Sequence, residues 1–130
     1  MRTSLRLLVG VCLLSALLVP GFGQNQPHRG RISVPFEFMV GATKFPPGQY
    51  ILDAVTSSYG ILRSTDGKLQ QALYFMQTGE PEKNPRVTFA VRDKKYYFAA
   101  VIGWFGKMQY TGFSPHFDDE TKEIPISSAQ

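Results

Sequence analysis

The stretch ISVPFEFMV, residues 32–40, decides the class of fold because every second side chain in it is strongly apolar. The apolar positions are Ile32, Val34, Phe36, Phe38 and Val40. A period of two places successive side chains on opposite faces of a β-strand, so one face of this strand is expected to bury against a core. Pro35 has no amide hydrogen to donate to a neighbouring strand. We therefore expect it in an edge strand, or at a position where the nitrogen points toward solvent.

Turn signals divide the rest of the chain into further short strands. The sequence Phe45-Pro46-Pro47-Gly48 predicts a rigid corner, because prolines fix φ and glycine tolerates the positive φ of a type II turn. Asp66-Gly67 predicts a hairpin, since this pair suits the type I′ turn that matches strand twist. Strands are expected at about residues 49–56, 59–64, 69–76, 87–91, 96–102 and 107–111.

These patterns together predict the architecture of the domain. No window after residue 23 has an apolar helical stripe longer than two turns. We therefore predict an all-β fold, a small antiparallel β-sandwich or partly open barrel of six or seven strands, preceded by an N-terminal signal helix.

The beginning of the chain has the three parts of a secretory signal. Two arginines and no acid precede the apolar run 7–19, and small residues follow at Gly21 and Gly23. The run is shorter than the roughly 20 apolar residues that cross a bilayer. We predict a signal peptide over residues 1–23, export to the periplasm or the exterior, and no transmembrane span after cleavage. An uncleaved helical anchor is the alternative.

Three regions are predicted after the signal. They are a flexible leader over 24–31, a β domain over 32–113, and a loosely held C-terminal tail over 114–130. The one cysteine, Cys12, lies inside the signal, so the mature chain has no disulfide and must rely on its core. About 107 residues suffice to build one.

Charge excludes one class of partner. The full chain has a net charge of +4, and removal of Arg2 and Arg6 with the signal leaves +2. The remaining cations are scattered, and Arg92-Asp93-Lys94-Lys95 has the pattern of a polar hairpin turn. Nucleic-acid binding needs a concentrated basic face, so we expect no nucleic-acid partner.

No catalytic residue and no cofactor are predicted. A Ser-His-acid hydrolase needs a histidine beside a nucleophile, and both mature histidines, His28 and His116, lie in predicted tails. Glu37 and Asp53 are the only strand acids that could form a glycosidase pair, and both are expected to face solvent.

The alternative to a non-catalytic protein is one that depends on a bound metal ion. His116, Asp118 and Asp119 could gather oxygens and one imidazole around a divalent cation in a metal-dependent protein or hydrolase. A solvated acidic tail explains the same residues.

Aromatic residues are the best candidates for a binding surface. Trp104 and Phe105 stand between two glycines, which project side chains from a turn, and Tyr110 follows on the next strand. Core packing is the competing interpretation. A non-catalytic exported binding or structural module of the cell envelope or exterior, with an envelope protein or a glycan as partner, is therefore the predicted function.

Two motifs carry a resemblance to a known group. VPFEFMVG at residues 34–41 and FPPGQY at residues 45–50 resemble the Pro-Phe-x-Phe-x-Val-Gly and Leu-Pro-Ala-Gly-x-Tyr pattern of small exported β proteins common in Acidobacteria. The likeness extends over about residues 32–102, and this chain departs from it with Phe45 for leucine and Pro47 for alanine. No activity is assigned to that group, so the resemblance implies a fold and export but no catalytic residue.

Overall fold

The computed structural model describes residues 28–128, which form eleven β-strands and no α-helix. The strands are β1 His28–Val34, β2 Phe38–Val40, β3 Thr43–Phe45, β4 Gly48–Thr56, β5 Tyr59–Ser64, β6 Gln70–Thr78, β7 Arg86–Arg92, β8 Lys95–Gly103, β9 Gly106–Tyr110, β10 Glu120–Pro125 and β11 Ser127–Ser128. The predicted all-β class is confirmed for these residues. The predicted signal peptide and residues 24–27 of the predicted leader lie outside them.

The strands form an open sheet in the order β10-β7-β8-β9-β6-β5-β4-β1-β11. β2 lies beside this path and pairs with β3 and with β8. The pairing of β2 with β8 is parallel, and all other pairings between these strands are antiparallel. β6 pairs with β5 through Tyr74 and with β9 from Phe75 onward, so one strand joins two parts of the sheet. We call β1, β4, β5, β11 and the start of β6 the first half, and the remaining strands the second half.

The opening stretch of the sequence links the two halves. Ile32 and Val34 of β1 lie in the first half, and Phe38 and Val40 of β2 lie in the second; all four are buried. Pro35 separates the two strands because it cannot donate a hydrogen bond to either ladder. The predicted alternation is therefore confirmed, with a crossing between the halves at the proline.

Aromatic rings fill the space between the halves. The ring of Phe38 meets the rings of Tyr50 and Phe89 nearly edge-on, with centroids 5.3 and 5.1 Å apart. Phe89 in turn meets Phe98 edge-on at 5.9 Å. These edge-to-face contacts are the favoured geometry for aromatic pairs, and they tie strands of both halves into one core.

Both ends of the predicted domain need correction. β1 begins at His28 and pairs with β4 over seven residues, so residues 28–31 are not a flexible leader. β10 pairs with β7 over six residues, and Ile124 is buried, so the predicted tail contains a strand. Charged side chains at most other β10 positions concealed it, because an edge strand needs little apolar surface and benefits from charge. These additions and the short strands raise the number of strands above the predicted seven.

The C-terminal segment spans the two ends of the open sheet. β10 lies on β7, β11 lies on β1, and only Ile126 separates the two strands. The amide of Ile126 donates to the carbonyl of Pro85 at 2.9 Å. Its side chain lies so close to Gly30 that a Cβ there would come within 1.9 Å of it, so a glycine is required at this crossing.

Residues 28–128 include no helix with the length and apolar character that a membrane crossing needs.

Candidate functional site

The outward side of the first half carries three arginines and several exposed apolar side chains. Alternation along β4 puts Leu52 and Ala54 in the core and turns Asp53 outward, and the neighbouring strands follow the same register. We call this surface the arginine face and define it by Arg29, Arg31, Arg63, Val55 and Tyr74, with Asp53 and Tyr59 between them, and by Met76 at its edge, where β6 passes into the second half.

Asp53 is buried even though it lies on the outward side. Arg29, directly opposite it on β1, donates from Nε to Oδ1 at 2.5 Å, and Nη2 of Arg63 lies 3.3 Å from Oδ2. The two guanidinium groups cover the carboxylate and leave its side chain only 6% exposed. The expectation that Asp53 faces solvent is therefore wrong, because the strands on both sides supply cations that cover it.

The charge of the arginine face stays positive despite this acid. One carboxylate stands against three guanidinium groups, and Arg31 has no carboxylate partner among residues 28–128. Arg31 and Arg63 flank Ile51 in the register of three adjacent strands, so both guanidinium groups arise from one line across the sheet. Guanidinium groups can bind carboxylates with bidentate geometry.

The apolar end of the arginine face is exposed. Tyr59 and Tyr74 pair across β5 and β6 with ring centroids 5.5 Å apart, and Tyr74 and Met76 are 59% and 64% exposed. Tyr59 lies four residues before Arg63 on one strand, which corresponds to about 13 Å. The face therefore offers an apolar end and a cationic end within the reach of one partner surface.

A groove lies on the second half, between the β2–β3 hairpin and the β7–β8 turn. Its volume is about 320 Å³, and its lining includes Phe36, Glu37, Lys44, Lys94, Lys95 and Tyr96. We call it the lysine groove. Phe36 and Tyr96 stack with centroids 3.8 Å apart and planes 13° apart, and this pair forms an aromatic wall.

The turn beside the lysine groove is the polar hairpin that the sequence predicts. Arg92 pairs with Lys95, and the two residues between them both have positive φ, 53° at Asp93 and 64° at Lys94. Both values belong to the type I′ turn, which usually carries glycine at its second central position. Lys94 thus occupies a conformation that disfavours a side chain.

The structure does not assemble the predicted aromatic binding surface. Tyr110 is buried and meets Phe98 edge-on at 5.6 Å, so it is a core residue, because the alternation of β9 turns it inward. Trp104 and Phe105 are half-buried and pack against His28, which stacks on Trp104 at 5.5 Å and meets Phe105 edge-on. Their contacts anchor the start of β1.

The three predicted metal ligands do come together. One ligand atom each of His116, Asp118 and Asp119 lies within 4.8 Å of the others. Asp119, however, accepts two hydrogen bonds from Arg92 at 2.8 and 2.7 Å and one from the backbone amide of His116 at 2.8 Å. A metal ion at this point would meet the positive charge of the guanidinium group.

Arg92 and Asp119 together fix the loop to the sheet. Hydrogen bonds from the Arg92 guanidinium, and then the amide of His116, lower the pKa of Asp119 to about 2. The guanidinium carbon also lies 5.5 Å from the ring centroid of Tyr97 and 5.4 Å from that of Phe113. The geometry thus favours a structural role for Asp119, in which its carboxylate holds the loop before β10 against Arg92 of β7.

Comparisons with protein-family models, curated proteins and solved structures found no match to this chain.

Sequence reasoning missed the arginine face. Arg29 and Arg31 share the period of two that marks the following strand, but they fall within the predicted flexible leader. Asp53, the partner of Arg29, is 24 residues further along the chain, so only the register of β1 on β4 brings the two together. Extending the alternation backward from Ile32 would have placed both arginines on one side of β1.

Proposed function

We propose that this protein is a non-catalytic binding module of the cell envelope or exterior, and that it holds a partner protein on the arginine face. The observation that carries the proposal is the exposure of Tyr74 and Met76 on β6, at the end of the sheet face that carries three arginines. Exposed apolar side chains that lie next to one another and are rimmed by polar residues mark interaction sites, and Tyr74 lies against Tyr59.

The composition of the face favours a protein over a polymer of sugars. Tyrosine, methionine and arginine are enriched in protein interfaces, whereas lysine and glutamate are depleted. The outward positions of β1, β4, β5 and β6 include no lysine and no glutamate. The one acid among them, Asp53, is covered.

The face is also ordered before any partner arrives. Asp53 restrains Arg29 and Arg63, and Tyr59 supports the ring of Tyr74. Side chains that are already fixed lose less entropy on binding, so more of the contact energy contributes to affinity.

Charge indicates the chemistry of the partner. A second copy of the face would bring arginines against arginines, which is unfavourable. A partner with carboxylates opposite Arg31 and Arg63 and an apolar group against Tyr74 complements both ends. The partner is therefore an acidic protein surface with an apolar edge.

Binding of the purified protein to envelope extract, measured on a sensor surface, tests the proposal. Tyr74→Ala and Arg31→Glu should each weaken binding tenfold or more, as expected for interface anchors. Phe117→Ala is the matched control, because Phe117 is a fully exposed aromatic residue in the loop before β10. Protease treatment of the extract should abolish binding and periodate treatment should not. Equal binding by all variants, or sensitivity to periodate alone, contradicts a protein partner on this face.

Two further parts of the proposal concern architecture and export. β6 joins the halves and Ile126 joins the sheet ends, which favours a partly open barrel over a sandwich. Export and the relation to the small exported β proteins stay predictions. N-terminal sequencing of the secreted product tests the first of them, and a chain that begins at Gln24 is the expected result.

A further inference from the structure

We propose that the lysine groove binds a small acidic sugar, one that bears a carboxylate or a phosphate. This site lies on the second half of the sheet and is separate from the arginine face. Charge, shape and the backbone of one turn support a binding role for it.

The charge of the groove is unbalanced. Three lysines from two separate segments converge on it, against the single acid Glu37. The ammonium of Lys44 lies 3.6 Å from Glu37, and both side chains are more than half exposed. Exposed pairs of this kind are weak, so Lys44 stays able to bind an anion. Ammonium groups act as point charges and suit carboxylate or phosphate alike.

The shape of the groove suits one ring. A volume of about 320 Å³ lies at the lower end of the range for small-molecule sites. The stacked rings of Phe36 and Tyr96 form an apolar wall on which the face of a sugar can pack. Glu37 can accept a hydrogen bond from a sugar hydroxyl.

The groove is formed in advance. Phe38 pairs with Tyr96, and Met39 with Tyr97, in the short parallel ladder between β2 and β8. This ladder fixes the groove's floor to the second half of the sheet. A ligand therefore needs to order only the lysine side chains.

The turn supplies an independent observation. Lys94 has φ of 64°, a conformation that glycine adopts without strain and lysine does not. The lysine at this position has a cost in stability, and it is one of the residues that line the groove. Strained positions of this kind concentrate at binding sites.

Titration of the purified protein, followed by NMR amide shifts, tests the proposal. The probes are glucuronate, glucose 6-phosphate, inorganic phosphate and glucose. Either or both acidic sugars should shift the amides of residues 36–39 and 94–97, with a dissociation constant of about 0.1–1 mM for ligands of this size. Glucose and inorganic phosphate should bind at least tenfold more weakly. The acidic sugar that binds identifies the carboxylate or the phosphate as the natural group.

Variants separate a binding role from a structural one. The double variant Lys44→Ala/Lys95→Ala should weaken binding tenfold or more, whereas Lys83→Ala, an exposed lysine outside the groove, should not. Lys94→Gly should weaken binding while it raises the melting temperature. Inorganic phosphate binding as well as the sugar phosphate, no shift with any probe, or wild-type binding by the double variant overturns the proposal. None of these results bears on the arginine face, so the two proposals fail separately.

Discussion

The arginine face and the lysine groove both carry excess positive charge, but they hold it by different means. On the arginine face, arginine side chains extend from paired strands, and the covered acid Asp53 restrains two of them. The lysine groove is lined by lysines of a hairpin and of a turn with positive φ, and the acid in its lining, Glu37, is exposed. On the arginine face a buried carboxylate orders the charged side chains, whereas in the lysine groove the backbone geometry of the turn determines where a lysine stands.

Removal of the Asp53 carboxylate should lower the stability of the protein more than any other change proposed for these two surfaces. Asp53→Ala leaves Arg29 and Arg63 as neighbours without their shared carboxylate. We expect a loss of about 1–3 kcal/mol in the free energy of unfolding, below the usual value for a buried pair because both arginines are partly exposed. Urea denaturation measures it. Asp53→Asn should lose less, and a change under 0.5 kcal/mol in Asp53→Ala would show that Asp53 does not order the face.

Acid should act on the second half through Asp119. Its pKa is about 2 in the folded protein, below its ordinary value of 3.8. A lowered folded pKa adds stability that is complete above the ordinary value and disappears as the pH falls through the folded one. The melting temperature should therefore decline between about pH 5 and pH 2. Asp119→Asn should be less stable at pH 7 and lose part of this dependence; an unchanged pH profile in that variant would contradict the tie to Arg92.

Relief of strain at the turn should stabilise the second half. Lys94→Gly removes a side chain from a left-handed position, and we expect a gain of about 0.5–1 kcal/mol, since glycine's greater freedom in the unfolded chain offsets part of the relief. Thermal unfolding measures the change. Lys95→Gly is the control, because Lys95 begins β8 with ordinary strand backbone and should lose stability instead. A destabilised Lys94→Gly protein would show that the turn is not strained.

The smallest effects are expected at the other two predicted metal ligands. His116→Ala and Asp118→Ala should each change the melting temperature by less than about 2 °C, with or without added zinc, since both residues are exposed. If alanine variants of His116, Asp118 and Asp119 all lowered the melting temperature equally, and only in the presence of zinc, the metal hypothesis would be restored.

The core could be predicted from the sequence because alternation is a local property. Ile32, Val34, Phe38 and Val40 were expected inside and are buried. Phe36 stays half-buried because it follows Pro35 at the crossing between halves and stacks on Tyr96 instead.

Turn geometry was less predictable than turn position. The hairpin at Asp66-Gly67 exists, but only Gly67 has positive φ there, so the expected type I′ turn does not form. That geometry occurs at Asp93-Lys94, where no glycine marks it. The length of the loop and the register of the strands determine the type of turn, and a two-residue sequence signal contains neither.

Alternation indicates that Arg29 and Arg31 share one side of β1, but their assembly with Asp53 and Arg63 could not be predicted, because it depends on register between strands. Nothing near Asp53 in the sequence indicates two arginines, since one is 24 residues before it and the other lies on the next strand. The C-terminal strand was missed for a similar reason, because its partner strand and not its own composition defines it.

The crossing at Ile126 has a consequence for the time course of folding. The hydroxyl of Ser127 donates to the carbonyl of Arg31, 96 residues earlier, so the contact that joins the sheet ends is among the most distant along the chain. Such contacts have a large loop-closure entropy and form late. Until β10 pairs with β7 and β11 with β1, those two partner strands each lack a neighbour on one side. A folding intermediate without these pairings therefore has two unprotected edges, and β10 and β11 protect it from association between incomplete copies.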